Sequence, residues 1–278
     1  MKRETYETFV DNDALISKAY HQVVEYDDPI DMQDFSDLYK DVDSDLAYVA
    51  EMERIFAMSY KDLSDVERII HEMAKAFEMI VSQQIESSNW LGETAMTVQA
   101  SKYDDFRNGV DTIVKLDNKE ASTHLALAID VTASTGLQKK FDRIKSEIDN
   151  GVLTRVKYFV SESMDVRGEK KNVPRVVIGA DREKIIDLID KWVKKDNKAL
   201  AQHVIQAVVL EEIITQLEAF AKYAELVEQT NAAEAYKKAL AILTGIRKEK
   251  GLSPELLAEA HDDLVFEAIK NNLYSFRK

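Results

Sequence analysis

The stretch YDDFRNGVDTIVKLDNKEASTHLALAIDVTASTGLQKKFDRIK, residues 103–145, predicts a turn, a strand, a loop, a second strand and a basic helix in succession. Asn108-Gly109 favours positive φ and marks the turn. Residues 110–116 (VDTIVKL) and 124–132 (HLALAIDVT) have the β-branched, apolar character of strands. The second is apolar nearly throughout and belongs in the middle of a sheet. Each run carries one carboxylate, Asp111 and Asp130. Asp is a poor strand former and is rarely buried without a partner. Side chains alternate along a strand, so Asp111 shares a face with Ile113 and Lys115, and Asp130 with Thr132. If the strands pair with Asp111 near Asp130, the two charges repel, and a shared proton or a divalent cation is the usual remedy. Mg²⁺ (or Mn²⁺) suits an all-oxygen site of carboxylates and water. Two plainer alternatives stand beside this one. Asp111 could be a turn residue after Asn108-Gly109, and Asp130 could cap the following helix.

Moving outward, Ser64-x-x-Glu67 is a capping box, and Val66, Ile69, Ile70, Met73, Phe77, Ile80, Val81 and Ile85 follow at three- and four-residue spacing. This predicts an amphipathic helix ending near Ser88, with Glu78 beside its apolar stripe. Residues 93–101 (ETAMTVQAS) read as a strand. After the central stretch, a helix capped by Ser134 or Thr135 stops at Gly151. Residues 153–161 and 173–179 are two more strands joined by a charged, glycine-containing turn, and Asp181 caps a helix to about Lys195. One long helix over 200–230, apolar almost all round from His203 to Leu217, and two more over 232–248 and 254–274 finish the chain. Before the core, residues 1–60 give short acidic helices and no recognisable chemistry. The order is helices, then α-β-β-β-α-β-β, then helices. It predicts an α/β (α+β) fold with three segments: an acidic helical 1–62, a core 63–198, and a helical 199–278 packed on that core.

The charge distribution adds a second clue. The net charge of −14 argues against a protein that coats nucleic acid generally. Residues 1–65 hold 6 basic and 17 acidic residues, whereas residues 136–198 hold 16 and 11. The one basic segment therefore follows Asp130 directly. It is either a solvated helix and hairpin or a surface that faces a polyanion. With no cysteine there is no disulfide framework, thiolate zinc site or cysteine nucleophile. No histidine pair has metal-ligand spacing, and His124 and His203 lie in apolar runs. Trp90 and Trp192 are expected to be packing residues. The start MKRETYETFV lacks an apolar signal region, and no apolar run approaches membrane-spanning length, so a cytoplasmic chain is the expectation.

In the order of its elements over 66–179 and in its carboxylates, the sequence resembles the PD-(D/E)XK nuclease superfamily. Asn108-Gly109-Val110-Asp111 is similar to that family's strand-initial aspartate, and Asp130-Val131-Thr132 sits where its D/E-x-K triplet would be. The resemblance implies a restriction-endonuclease-like central mixed sheet with an α-β-β-β-α-β core. It implies a Mg²⁺-dependent hydrolase acting on the phosphodiester bonds of nucleic acid, DNA above all. Metal ligands would be Glu78, Asp111 and Asp130, with Glu86 as the reserve for the helix glutamate. Thr132 departs from the pattern, since it cannot supply the lysine's charge. Lys140 is the preferred replacement, and Lys139 and Lys115 are the other candidates. Lys139 and Arg143 would bind the nucleic acid. Asp104 and Asp105 would either end the turn or join the metal. The alternative is a nuclease-like fold that has lost catalysis and serves as a binding or scaffold protein. A homo-oligomer is compatible with either reading.

Overall fold

The computed structural model describes residues 2–118, 123–161 and 166–277. Four strands form a mixed sheet in the order β1 (Met96–Gln99), β2 (Thr112–Asn118), β3 (Thr123–Thr132) and β6 (Arg175–Gly179). β2 runs antiparallel to both β1 and β3, with Thr112 opposite Ile129, and β6 lies parallel to β3 with Val177 opposite Asp130. β4 (Thr154–Ser161) and β5 (Val166–Val173) form a separate antiparallel pair. The sequence-based expectation of a turn between 161 and 173 is thus corrected where residues are described. Val166–Val173 is a strand whose charged side chains all keep part of their surface in solvent. The expected loop at 117–119 begins later than read, because β2 continues to Asn118; Lys119 lies outside the described residues.

Each face of the sheet has its own core. Val114, Leu116, Leu127 and Ile129 join the large core with α3 (Asp65–Ser87), α4 (Gln138–Asp149), α7 (Ile205–Leu226) and α10 (Leu264–Asn272). Ile113, Ala126 and Ala128 point the other way, against Val156, Phe159 and Val173 of the hairpin. The period of two thus sorts β2 and β3 into two apolar faces, which explains their near-continuous hydrophobicity. The far side of the hairpin is closed by residues 30–49 of the acidic N-terminal segment, with Phe35 and Tyr158 buried between them.

α3 carries the capping box that the sequence predicts: Glu67 N–H donates to Ser64 Oγ, and Ser64 N–H donates to the Glu67 carboxylate at 2.9 Å. Its stripe is buried only from Met73 onward; Val66 and Ile70 in the first turns are exposed. Ahead of it lie α1 (Lys2–Val24), which packs on α3 and α5 (Arg182–Val193), and α2 (Val42–Lys61), which lies largely in solvent. Asp181 caps α5 as expected, accepting from Lys184 N–H. α4 starts later than expected, at Gln138, and neither Ser134 nor Thr135 caps it; Ser134 N–H is instead held by Thr132 Oγ1 at 3.1 Å.

Both long C-terminal helices are broken. α6 (Asn197–Ala201) ends before α7, where His203 takes the Ile205 N–H on its ring nitrogen. After α8 (Thr230–Lys250) come α9 (Pro254–His261) and α10, separated by Asp263, whose carboxylate caps the Val265 and Phe266 N–H groups. α7 shields the outer edge of β6. Its Gln216 side chain accepts from Val177 N–H at 2.9 Å and donates to Val177 C=O at 2.6 Å, and one turn earlier Glu212 accepts from Gly179 N–H. An otherwise open strand edge is thereby satisfied by side chains. No helix among the described residues is long and apolar enough to cross a membrane.

Candidate active site

The site is built where β2 begins and β3 ends. Residues Asp104–Asn108 form one π-helical turn, closed by Gly109 in the left-handed conformation at φ 58°. The fully buried Asp104 anchors that turn. Its carboxylate accepts from Ser101 Oγ, Asn108 Nδ2 and the Lys157 and Tyr158 N–H groups, at 2.7–3.0 Å. Four donors to one carboxylate offset the cost of burying it. Arg175, also buried, holds the Asn108 and Gly109 carbonyls from below, with Thr154 Oγ1 and Glu147 taking its remaining donors. Asp104 is thus the turn residue of the alternatives weighed for it, and the neighbouring Asp105 faces elsewhere.

Asp111 follows this turn. Its N–H donates to Ile129 C=O at 3.2 Å, and its carboxylate accepts the Val131 N–H at 2.7 Å. The side chain thus takes the place of a main-chain carbonyl at the end of the β2–β3 ladder. Asp111 and Asp130 come together as their strand pairing requires. Burial first, then the negative charges of Glu78, Asp130 and Asp105, push the Asp111 carboxyl well above the usual range. Asp105 is likewise raised, to about 6, by burial and by Glu78. Four carboxylates, Glu78, Asp105, Asp111 and Asp130, therefore feel one another at one end of the sheet.

Lysines close around them. Lys140, on the first turn of α4, places its ammonium against Asp130 and donates to Val131 C=O at 3.2 Å. Lys75, one turn before Glu78 on α3, bonds it at 2.9 Å and lies 3.4 Å from Asp27. Burial opposes the Lys75 charge, but Glu78 and Asp27 outweigh it and push its pKa up to about 12. Asp27 in turn also binds Lys102 at 3.1 Å. Burial acts against the Asp27 charge too, yet the two lysines hold its pKa below the ordinary value.

Lys140 contacts Asp130, and Asp111 lies within electrostatic reach of Asp130 and Glu78, while other expected positions fall elsewhere. Glu86 is occupied at β1, accepting from Thr97 Oγ1 at 2.8 Å. Lys115 is buried on the hairpin face, with Ser161 Oγ at 3.3 Å. Thr132 is buried with its hydroxyl on Ser134 N–H. Asp130 does not cap α4, whose N-cap is Leu137. Lys139 is exposed. Arg143 is half-exposed, with one nitrogen on Arg107 C=O at 2.8 Å, and burial together with the Arg175 charge lowers its pKa. A methyl group on Gly109 would lie 2.5 Å from the Arg143 guanidinium.

Much of the basic character of 136–198 is spent on the chain's own carboxylates. Lys157 sits between Asp41 and Asp45 within the rings of Tyr39, Tyr103 and Tyr158. Arg167 pairs with Asp37, and Arg155 with Glu169 at 3.3 Å. The acidic N-terminal segment is the counter-charge of the basic hairpin. Sequence reasoning missed this pairing, and it missed the roles of Lys75, Lys102 and Asp27; only the unequal charge of the two segments hinted at the first.

The donor set is chemically suited to a hard divalent cation, since all of its candidate ligands are carboxylate oxygens. Among the described residues, no three Asp, Glu or His side chains are grouped closely enough to hold a metal as they stand. No protein-family model, no curated protein and no solved structure matches this chain.

Proposed function

We propose that the chain is a Mg²⁺- or Mn²⁺-dependent nuclease that hydrolyses phosphodiester bonds of DNA, on a core of the PD-(D/E)XK, restriction-endonuclease-like kind. The observation that carries this reading is that Asp111 feels the charges of Glu78 and Asp130 at one end of the sheet, with the Lys140 ammonium against Asp130. The order α3-β1-β2-β3-α4, then β6 parallel to β3, supports the assignment of the core.

In this reading Glu78, Asp111 and Asp130 would hold the cation. When bound, the cation supplies Lewis acidity and a water of lowered pKa. The residues of the chain do the rest. The Val131 N–H orients the Asp111 carboxylate. Lys140 stands where the motif lysine is absent and offers positive charge to the anion that develops on the scissile phosphate. Lys139 and Arg143, on the exposed side of α4, bind neighbouring phosphates, and Gly109 leaves room for Arg143 to approach. The test is cleavage of single- and double-stranded DNA with Mg²⁺ or Mn²⁺, comparing wild type with Asp130→Asn. A metal-dependent activity that the substitution abolishes is expected; equal activity in both proteins, or none with any substrate, sinks the reading.

A second reading has its own observation in favour. Lys75, Lys102 and Lys140 already offset the carboxylates, and Thr132 carries no charge, so the same centre can serve as the rigid heart of a scaffold protein. That reading expects calorimetry to detect no divalent-cation binding. A titration that Asp111→Asn eliminates would exclude it.

A further inference from the structure

Away from the carboxylates, α1, α3, α5 and α6 enclose a cleft of about 630 Å³. Its uncharged polar groups are the amides of Gln22, Gln83, Gln84 and Asn197 and the hydroxyls of Ser87 and Ser88, and its rings are Tyr26 and Trp192. The charged residues of its lining, Glu25 and Lys195, are of opposite sign. Such a lining attracts no net charge and presents paired donors and acceptors beside flat apolar faces.

Two of these amides are open. Gln84 is only 4% exposed, and its Oε1 accepts from Ser88 Oγ at 2.7 Å. Its NH₂ group has no partner among the described residues. Among the described residues the buried side-chain atoms without a hydrogen-bond partner are Glu211 Oε1, Glu212 Oε1 and the Tyr236 hydroxyl, so this NH₂ reaches solvent in the cleft and is free to donate to a guest. Gln83 accepts from the Trp192 indole N–H at 2.6 Å, and its NH₂ too is unengaged among the described residues. That bond ties the indole to α3 within the lining of the cleft. Tyr26 lines the same cleft and is 71% exposed.

A smaller hollow of about 260 Å³ shares Tyr26, Gln83 and Trp192 and continues past Ser82 towards Gln99. Ser82 lies one helical turn beyond Glu78, and Gln83 about 7.5 Å along the helix axis from it. The amide cleft and the carboxylate centre are thus neighbours along one helix.

We infer that this cleft binds an unpaired nucleobase. A base is uncharged and flat, and its edge alternates donors and acceptors. Glutamine amides match such edges bidentately, and aromatic side chains stack on base faces. A base within a duplex hides that edge and face, so only an unpaired one can enter. The course of the strand from this base to the carboxylates rests on the nuclease reading, but binding of the base does not.

The experiment follows Trp192 fluorescence without divalent cations, in EDTA, as adenosine, single-stranded oligo(dA), a blunt duplex or ribose is added. The chain has two tryptophans, and Trp90 is fully buried with its N–H on Leu200 C=O. Saturable quenching by adenosine and oligo(dA) is expected, with the duplex and ribose at least about tenfold weaker. Tyr26→Ala should weaken binding about fivefold or more, as loss of one stacking face does. Gln84→Leu should weaken it comparably; because Gln84 is buried, the exposed Tyr26→Ala carries the test if that variant misfolds. No saturable response, a response equal for ribose, or one that Tyr26→Ala leaves unchanged overturns the inference. Adenosine binding by a protein that cleaves no DNA with Mg²⁺ or Mn²⁺ sinks the nuclease reading and leaves the base site standing.

Discussion

Lys140 reaches back from the first turn of α4 to Asp130 near the end of β3, joining the two elements that follow one another across the site. Its side chain is 30% exposed and that of Asp130 13%, so the pair stands at the edge of solvent. A pair so placed adds little to stability, on the order of 1 kcal/mol or less. Lys140→Met should therefore leave the fold standing while removing the ammonium held against the carboxylate. Under the nuclease reading, cleavage should fall by roughly two to three orders of magnitude, the usual cost of deleting one stabilising charge or donor. Turnover and thermal unfolding measured on the same preparation check this. An unfolding shift of many degrees with unchanged cleavage would reverse the assignment.

Asp105 predicts a pH dependence of stability. Its carboxyl titrates near pH 6 in the folded chain, against an ordinary 3.8, because burial and Glu78 disfavour its charge. Between those two values the native state holds a proton that the unfolded chain has released. The contribution of this group to stability therefore falls as pH rises from about 4 to 6, and the full cost persists above 6. Asp105→Asn should stabilise the protein by about 1–2 kcal/mol at pH 8, allowing for its partial exposure, and should do nothing at pH 3.5. Denaturant melts at the two pH values measure the difference. Equal gains at both would assign the effect to packing.

The carboxylates on the strands were legible because Asp inside an apolar strand run is improbable, and the period of two then places Asp111 and Asp130 on one face. Glu78 was legible only as a glutamate beside a stripe; its choice over Glu86 depends on how far α3 extends past β1, which no local pattern encodes. Lys75 and Asp27 were invisible because they meet through the packing of the α1–α2 connection on α3. The strand Val166–Val173 was hidden by its charges. Alternation there is blurred by Gly168 and by a register shift against β4, so it resembles a turn. The breaks before α7 and α10 escaped notice because their signals, His203 and Asp263, act through side-chain caps inside otherwise helical sequence.

Divalent cations should stabilise the protein in a pH-dependent way. At pH 7.5 Asp105 is ionised beside the charges of Glu78 and Asp130, and a bound cation would offset that repulsion. At pH 5 Asp105, raised to about 6, takes up a proton and weakens the carboxylate set that the metal would use. Millimolar Mg²⁺ or Mn²⁺ should raise the melting temperature by a few degrees at pH 7.5 and much less at pH 5, and Asp111→Asn should remove the effect. Scanning calorimetry with EDTA as the reference decides it. A rise that survives Asp111→Asn places the cation elsewhere.

Gly109 is required for two separate reasons. It adopts φ 58°, and a methyl group there would come 2.5 Å from Arg143 and 3.3 Å from Arg175. Arg143 can swing into solvent, but Arg175 is buried and bonded on four sides, so the backbone must give way. Gly109→Ala should cost about 1–3 kcal/mol. Because the turn feeds directly into Asp111, the loss of cleavage should exceed what the unfolded fraction accounts for. Chemical denaturation and specific activity, compared in one variant, separate the two contributions.

Gln216 tests how the outer edge of the sheet is closed. Its amide fits the N–H and C=O of Val177 as a strand would, and it is buried. Gln216→Leu keeps the volume and the helix but leaves both main-chain groups without partners in a dry interior. Two orphaned groups at roughly 1–3 kcal/mol each predict a loss of about 2–5 kcal/mol, large for one substitution far from the carboxylates. Gln216→Glu should be milder at low pH, where a protonated carboxyl both donates and accepts, and harsher at pH 8, where the charged form cannot donate to the Val177 carbonyl. Unfolding free energies for the two variants at pH 5 and pH 8 provide the comparison. If Gln216→Leu costs less than about 1 kcal/mol, then water or a shift of β6 reaches the edge, and α7 is not what seals it.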